Sequence, residues 1–446
     1  MLKLSLWRAI AVLLLPLLIS ACGGGGSSAP PPSGGITVVP GNGQAFVTWT
    51  ADPGVDYQVI YLQTAAATSG QDIYANPLHL WVNGATAVTS PLVATGLTNG
   101  LPYTFAINGR TGTGQGGAFS AIQTITPRAA GANWIPGSYA GTAPTSDLHG
   151  LSYGTADNVN YYYLAVGDNG AMYQVLDSVS QSLNGYTWTP ITTAPVVNYK
   201  AAINAFSRYI AVGSGTANNI SYSTDLTGSA WTAATTAVST GLNALASNGT
   251  YVVAVGDGGK AFYTGDGNIW NPVTTGTTAN LYGLTYSSTY GWVAVGQGGL
   301  IITSPDLATW TPHPYTGAGN DLHGVTVTSS NVFVAVGNGG TVVTSSDSAN
   351  WTTQTLASSS NLYAISTDSA QFLAVGQNGA TYTSTSIGTG SYLDGLTWTV
   401  PVPVTAGSKL PTSTTLYSIF GSASIFGSAS KYLGVGLAGA NFSSIN

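Results

Sequence analysis

The chain is 446 residues long, only 5% of its residues are charged, and its formal net charge at pH 7 is −6. All 15 acidic residues are aspartates, against nine lysines and arginines, so the chain lacks the basic surface that nucleic acid requires. Because Cys22 is the only cysteine, strand pairing and apolar burial, rather than disulfides within the chain, must hold the fold together.

The first 22 residues are typical of an export signal. A positive start with Lys3 and Arg8 precedes an apolar run over residues 9–19, and the chain then reads Ile-Ser-Ala-Cys. This ending resembles the lipobox of bacterial lipoproteins. The resemblance implies that residues 1–21 are a signal peptide and that lipid such as palmitate is attached to Cys22. The alternative is an ordinary secretory signal that ends in a chance cysteine.

The residues after Cys22 favour the outer membrane and predict a tether. Gly23 stands where many inner-membrane lipoproteins have an aspartate, so we expect the outer membrane, on its periplasmic or its external face. Residues 22–35 are rich in Gly, Ser and Pro, a composition that predicts a flexible tether. Loss of Lys3 and Arg8 with the signal leaves 7 basic against 15 acidic residues, a net charge of −8.

About 90 residues with strand-like patterning follow the tether. Residues 47–49 predict a strand with a core tryptophan, and residues 57–61 predict the next strand. The run over residues 97–103 is similar to a tyrosine corner, in which a tyrosine hydroxyl binds upstream backbone. These features resemble the fibronectin type III family, which implies that residues 36–128 form a β-sandwich acting as a spacer or protein-binding module. The irregular segment 64–93 gives no strand prediction.

A repeating unit occupies the rest of the chain. Apolar residues ending in Val-Gly recur seven times, with steps of 46, 43, 40, 41, 39 and 60 residues. A period near 40 is typical of a β-propeller, with one four-stranded sheet per repeat. In the fourth repeat we predict strands at 281–286, 291–296, 299–303 and from Trp310 onwards, and no segment has a helical period. The seven glycines are Gly167, Gly213, Gly256, Gly296, Gly337, Gly376 and Gly436.

The last repeat predicts how the ring closes. Six repeats open their fourth strand with a tryptophan, and the seventh ends at Asn446 without one. Trp134 lies just before the first repeat and can supply the missing strand, which removes two open sheet edges. The predicted fold is therefore all-β: a fibronectin type III-like sandwich, then a seven-bladed β-propeller over residues 129–446 closed by its N-terminal strand. A doubled IFGSAS over residues 419–430 predicts a bulged loop.

The hairpins between the third and fourth strands bear on enzymatic activity. Asp266, Asp306 and Asp347 each stand four residues before a tryptophan, a pattern that resembles the Asp-box of sialidase-like propellers. In that family the aspartate organises its own turn, and we expect this structural role here and for Asp225. Sialidase chemistry uses three arginines, whereas residues 129–446 contain only Arg208, so sialidase activity is excluded.

The repeat as a whole also resembles the propeller of the photosystem II assembly factor family. Three features carry this resemblance, namely the L-x-G start, the A-V-G end of the second strand and the T-S-x-D-x-x-x-W hairpin. Photosynthetic members of that family bind nascent subunits of a membrane complex through an arginine patch. Because this chain is poor in arginine, the resemblance does not imply an arginine-mediated partner site here.

Equivalent positions at the start of each repeat form the candidate binding site. A group of four residues, such as Asn280-Leu281-Tyr282-Gly283, stands at the entry to the first strand of each repeat. If the repeats are equivalent, the third residue of each group lies on a ring around the central channel. This ring is on the same face as the hairpin between the second and third strands. Such a ring suits stacking on sugars or holding a peptide, or else its side chains fill the channel and satisfy each other. The ring is His149, Lys200, Asn243, Tyr282, His323, Tyr363 and Tyr417, and the same face carries Asp168, Asn169, Asp257, Gln297, Asn338 and Gln377.

We therefore expect a monomeric cell-envelope lipoprotein that binds a protein or a neutral glycan without a cofactor. The alternatives are an extracellular polysaccharide hydrolase that uses a pair of aspartates, and an assembly factor for an envelope complex. We assign no catalytic residue and no metal ligand. The four histidines are dispersed, no nucleophile motif accompanies them, and no cluster of ligands at short spacing is evident.

Overall fold

The protein is described by a computed structural model of residues 28–445. The description leaves out residues 42, 77, 83–86, 91, 99, 112–115, 128–130, 132–133, 156–159, 178–185, 216–217, 224, 226–229, 357, 368–370, 386–397, 401–408 and 424–429. The described chain is all-β with one short α-helix. No helix in these ranges is long and apolar enough to cross a membrane. The chain divides into two compact units, with the boundary in the sequence between Pro127 and Arg128, except that Pro40–Gln44 is assigned to the second unit.

The first unit consists of two sheets that share a core. The larger sheet has the order β1-β7-β4-β5 with β8 beside β7, and the smaller has the order β2-β3-β6. Val47, Val59 and Phe105 are fully buried in the common core. The strands are β1 (Ser28–Ala29), β2 (Thr37–Gly41), β3 (Gln44–Thr48), β4 (Asp56–Leu62), β5 (Leu80–Trp81), β6 (Leu92–Thr95), β7 (Tyr103–Arg110) and β8 (Gln123–Ile125).

Two details of this unit differ from the sequence predictions. The predicted tether does not reach residue 35, because Ser28 and Ala29 pair with the end of β7 and Ala29 is buried. Backbone pairing makes this short strand despite its linker-like composition. The unassigned segment contains a helix, α1 (Gly70–Ala75), which Ser69 caps and which is too short to show a helical period.

The hydroxyl of Tyr103 accepts the Thr98 N–H at 2.9 Å, the contact predicted for the run over residues 97–103.

The described residues of the second unit form seven sheets in chain order. The strand pairings in these sheets are antiparallel, except that β10 runs parallel to β14 in the first sheet. The predicted strands of the fourth repeat match β23 to β26 closely. In six of the sheets a tight 3₁₀ turn joins the second and third strands. The strands are β9 (Ile135–Pro136), β10 (Ser138–Tyr139), β11 (Leu148–Thr155), β12 (Tyr161–Gly167), β13 (Met172–Leu176), β14 (Thr187–Pro190), β15 (Asn198–Ala205), β16 (Arg208–Ser214), β17 (Ile220–Ser223), β18 (Trp231–Ala233), β19 (Leu242–Ser247), β20 (Val252–Gly256), β21 (Lys260–Thr264), β22 (Asn271–Thr274), β23 (Leu281–Ser287), β24 (Gly291–Gly296), β25 (Ile301–Ser304), β26 (Thr311–Pro312), β27 (Leu322–Val327), β28 (Phe333–Gly337), β29 (Val342–Ser345), β30 (Thr352–Gln354), β31 (Leu362–Thr367), β32 (Gln371–Gly376), β33 (Thr381–Thr385), β34 (Leu416–Ala423), β35 (Ser430–Gly436) and β36 (Asn441–Ile445).

The first strands of successive sheets form a closed circuit. Each contacts the first strand of the next sheet, and β34 of the last sheet contacts β11 of the first. The second strands are buried on both faces between neighbouring sheets, which accounts for their continuous apolar sequence. The doubled IFGSAS spans the end of β34 and residues 424–429, and the loop predicted there lies outside the described residues.

Residues 134–139 close this circuit. As predicted, β9 pairs with the last strand, β36. The continuation, β10, was not predicted: it runs parallel to β14 at the outer edge of the first sheet. The same short segment therefore joins the last sheet to the first. Trp134 is 5% exposed, packs among apolar residues of the sixth and seventh sheets, and donates from Nε1 to the Gly131 carbonyl at 2.9 Å.

The recurring Val-Gly has a steric cause. A Cβ added to any of the seven glycines would lie 1.9–2.1 Å from a carbonyl oxygen at the start of the first strand of the same sheet. In six of the sheets that carbonyl accepts the N–H of the residue after the glycine at 2.9 Å. Close approach of two backbones therefore requires glycine at this position.

Aspartates organise the turns between the third and fourth strands, as the sequence predicted. One oxygen of Asp266 accepts two backbone N–H groups of its own turn, at 2.8 and 2.9 Å, and Asp306 and Asp347 do the same. In the first sheet Asp177 follows β13, is buried, and accepts from the hydroxyls of Tyr153 and Tyr186 at 3.0 Å. In the second sheet the backbone N–H and carbonyl of Asp225 both bind the Ser223 hydroxyl.

Replacing Asp347 by alanine is expected to lower the free energy of unfolding by about 1 kcal/mol at neutral pH, as loss of a capping oxygen does. The backbone and side-chain N–H groups of Asn350 lower the pKa of Asp347 from 3.8 to about 2. Because the folded pKa is the lower one, this stabilisation is present above about pH 4 and is lost as the pH falls through about 2. Melting curves of the two proteins from pH 7 to pH 2 should converge in acid. A constant difference, or an equal effect of Ser346→Ala at the exposed neighbour, would contradict this role.

Candidate functional site

Seven β-bulges place the seven predicted ring residues. In the fourth sheet Leu281 pairs with Gly296 and Gly283 pairs with Val295, which leaves Tyr282 as an extra residue. The same irregularity occurs once in the first strand of every sheet. A bulge bends the strand and redirects the side chain of the extra residue. The bulge residues are His149, Lys200, Asn243, Tyr282, His323, Tyr363 and Tyr417, and all seven are partly exposed.

Five bulge residues form a continuous arc of rings, which we call the aromatic arc. Ring centroids are 5.4 Å apart between Tyr282 and His323, and 5.3 Å apart between His323 and Tyr363. The series continues through Tyr417, at 5.3 Å from Tyr363, to His149, at 5.0 Å from Tyr417. These contacts join five different sheets, so the structure places five of the predicted positions side by side.

A charged triad continues from the end of the arc. The Lys200 ammonium donates to Asp168 Oδ1 at 3.0 Å and lies 2.9 Å from His149 Nε2. His149 Nε2 also lies 3.0 Å from Asp168 Oδ2. A neutral imidazole can accept from Lys200 at this nitrogen or donate from it to Asp168, but it cannot do both. The triad is therefore a compact ion-pair network, with its side chains 16–31% exposed.

Burial and charge act together on the triad. Burial lowers the pKa of His149, and the charge of Lys200 lowers it further. The hydrogen bond to Asp168 raises this pKa, but by less, so the pKa stays below its ordinary value. Partial burial by itself would raise the pKa of Asp168, yet hydrogen bonds from His149 and Lys200 outweigh it and lower that pKa. At neutral pH Asp168 is therefore a carboxylate and His149 a neutral imidazole.

The remaining ring and turn residues bind mostly to one another. Asn243 donates to Asp257 Oδ1 and to the Leu281 carbonyl, both at 3.0 Å. His323 Nε2 lies 2.8 Å from Asn338 Oδ1. The other turn residues predicted on this face behave as follows: Gln297 accepts the Asn280 N–H at 3.3 Å, Asn169 is exposed, and Gln377 is partly exposed.

The residue two positions before each bulge residue, here called the lead residue, has a role that the sequence did not predict. In five sheets its side-chain oxygen accepts a backbone N–H from the 3₁₀ turn of the preceding sheet at 2.8–2.9 Å. Lead residues Gly241 and Thr415 make no such contact within the described chain. The available signal was an Asx residue before Leu at four of the five linking positions, and before Tyr199 at the fifth. The five linking residues are Asp147, Asn198, Asn280, Asp321 and Asn361.

A group of potential metal ligands was also not predicted from the sequence. Ligand atoms of Asp147, His149 and Asp168 all lie within 4.8 Å of one another, a grouping that could hold a metal ion. Asp147 and His149 are two residues apart, which was the sequence signal. The Lys200 ammonium already contacts two members of this group, Asp168 and His149. Its positive charge therefore offsets part of the negative charge that would attract a metal ion.

The same aspartates are poorly suited to hydrolysis. A two-carboxylate glycosidase keeps one carboxyl protonated through a raised pKa, with the pair about 5 to 10 Å apart. The Asp147 and Asp168 oxygens lie within 4.8 Å, the pKa of Asp168 is lowered, and Asp147 Oδ1 is bound to the Ala438 N–H. The lowered pKa of Asp168 is the opposite of what a general acid requires.

The sequence matches no family model and no curated protein. The structure is similar to solved β-propellers. The photosystem II assembly factor YCF48 from Cyanidioschyzon merolae is 16% identical, with a TM-score of 0.51 over 70% of this chain and 98% of that chain. YCF48 bound to D1 peptide is 19% identical, with a TM-score of 0.52 over 70% and 94% of the two chains. Virginiamycin B lyase from Staphylococcus aureus is 12% identical, with a TM-score of 0.53 over 68% and 97%.

These similarities show that the chain contains a β-propeller. They do not extend to activity, since one fold serves both an assembly factor and an enzyme among these neighbours. Function must therefore be argued from the side chains at the opening.

Proposed function

We propose that this chain is an outer-membrane lipoprotein whose seven-bladed propeller binds a protein or neutral glycan at the opening ringed by the bulge residues. Residues 36–128 would act as a fibronectin type III-like spacer, and lipid on Cys22 would anchor a monomer. The observation that carries the proposal is the set of seven bulges. Each costs a regular backbone pairing, and together they give seven partly exposed side chains equivalent positions in the seven sheets.

The contacts at the opening support binding in preference to hydrolysis. The arc offers large, rigid side chains with polar atoms, which suit non-covalent recognition. Within the described residues, the hydroxyls of Tyr363 and Tyr417 make no hydrogen bond, so they are available to a ligand. The pKa of Asp168 is lowered, whereas a general acid requires a raised pKa.

An assembly factor for an envelope complex is the second candidate. It is favoured by the similarity in fold to YCF48, which was solved bound to D1 peptide. In this chain a protein partner would be held by tyrosines and aspartates, since the second unit has one described arginine, Arg208. Recovery of a membrane protein with the tagged chain from solubilised envelopes would separate this candidate from a glycan receptor.

The triple substitution Tyr282→Ala, Tyr363→Ala and Tyr417→Ala is expected to reduce ligand retention at least tenfold, because it removes three of the five rings of the arc. Full-length protein in detergent would be applied to a glycan array and to solubilised envelopes, and melting would report its fold. The matched control is Tyr251→Ala, which truncates a 40% exposed tyrosine outside the ring. Unchanged retention by a folded triple variant would place the binding site elsewhere on the molecule.

Lipidation is tested by the substitution Cys22→Ser. Cells fed an alkyne-tagged palmitate are expected to label the parent protein and not the variant, because the thiol is the attachment point. The variant should also leave the membrane fraction. Labelling that survives the substitution would place the lipid at another residue, and a parent protein that is never labelled would favour the ordinary secretory signal.

A further inference from the structure

The opening combines an electron-rich surface with negative charge. The aromatic arc runs unbroken through five rings, and successive rings are tilted by 35–60°. Asp147 and Asp168 stand at its His149 end. Their charge reaches the arc: burial raises the pKa of Tyr417, and Asp147 and Asp168 raise it further.

Negative charge predominates among the residues that line the opening. The lead residues, the bulge residues and the first residues of the 3₁₀ turns together include four aspartates and one lysine, Lys200. That lysine is already bound to Asp168 and His149. Asp147 uses Oδ1 for the Ala438 N–H, and its other oxygen makes no hydrogen bond to the described residues. The four aspartates are Asp147, Asp168, Asp257 and Asp321.

We propose that the ligand presents a cationic side chain, lysine or arginine, of a protein segment, and that this group lies on the aromatic arc near Asp147. The inference rests on the proposed function of the opening. Tyrosine faces attract an ammonium or guanidinium through their quadrupole, and a nearby carboxylate adds charge attraction. The Lys200 ammonium shows within the molecule that this cluster accommodates such a group.

Two other ligand classes fit less well. An anionic ligand would meet four carboxylates and one lysine that is already paired, so charge opposes its binding. A neutral sugar stacks best on a flat ring face, whereas the rings of the arc are tilted against their neighbours by at least 35°. A compact cation can contact several tilted rings at once.

The test uses purified full-length protein in detergent and a fluorescein-labelled hexapeptide with two central lysines. A second hexapeptide carries acetyl-lysine at both positions, which keeps the length and removes the charge. Fluorescence anisotropy is expected to show at least tenfold weaker binding of the acetylated peptide. Tyr363→Leu, which keeps bulk and removes the ring, and Asp147→Asn, which keeps the acceptor for Ala438, should each weaken the lysine peptide by roughly three- to tenfold.

The control Tyr251→Leu should leave binding of the lysine peptide unchanged, and all variants should melt like the parent. Equal binding of the two peptides, or binding insensitive to both variants of the opening, would overturn the inference. If neither peptide binds while the triple tyrosine variant still loses an envelope ligand, the binding function stands and the cationic ligand is wrong. If the triple variant also retains that ligand, both proposals fail.

Discussion

The substitution Trp134→Ala is expected to lower the free energy of unfolding of the second unit by about 3 to 5 kcal/mol, the usual cost of truncating a buried tryptophan. Trp134 packs against Leu373 and Val375 of the sixth sheet and against Leu416 and Tyr432 of the seventh. The indole also donates to the Gly131 carbonyl. Truncation therefore opens a cavity where the chain enters the ring and loosens β9 from β36.

Thermal unfolding followed by tryptophan fluorescence measures this effect. At about 2 to 4 °C for each kcal/mol in a unit of this size, the melting temperature should fall by roughly 6 to 20 °C. The control is Leu437→Ala in the same sheet, since that side chain is 41% exposed. Equal melting of Trp134→Ala and the parent would mean that residues 134–136 do not hold the ring closed.

The substitution Gly256→Ala is expected to destabilise the third sheet by at least about 3 kcal/mol, at the upper end of overpacking in a core. Its Cβ would lie 2.0 Å from the Gly241 carbonyl oxygen and 2.8 Å from the Leu242 Cα. Both are backbone atoms of the first strand, so no side-chain rotation relieves the collision. The carbonyl also accepts the Asp257 N–H at 2.9 Å, and this hydrogen bond would be lost or lengthened.

The same sheet offers a matched control in Gly265→Ala. A Cβ there has its nearest neighbour at 3.9 Å, which is ordinary contact. Melting should therefore separate two glycine-to-alanine changes nine residues apart, the first with a large loss and the second with almost none. Similar melting of the two variants would mean that the repeated glycine reflects descent of the repeats rather than steric need.

Much of the structure of the second unit could be predicted from the periodicity of its sequence. The Val-Gly repeat near 40 residues gave the strands of the fourth repeat to within two residues, and the absent seventh tryptophan led to Trp134 as the closing residue. The ring positions also followed, because equivalent positions in closed repeats lie at equal depth. Local turn chemistry was equally accessible, since an aspartate binds backbone within its own hairpin.

Other features could not be predicted from the sequence, because they depend on strand pairing between distant segments of the chain. Composition suggested a linker at Ser28, but pairing with Arg110 makes it a strand. Nothing near Ser138 indicates a parallel strand, which exists only because β14 leaves an open edge beside it. The bulges likewise depend on register between two strands, which sequence patterning does not specify to one residue.

The sequence by itself determined the repeating sheets, the glycines that permit their close approach and the ring of equivalent positions. Those properties repeat locally, so one unit can be compared with the next. Only the tertiary structure decided which side chains meet. The Ala438 N–H reaches Asp147 across 291 residues, and His149 meets Tyr417 only because the last sheet returns to the first. Closure of the ring sets these contacts, and with them the charge and aromatic character of the opening.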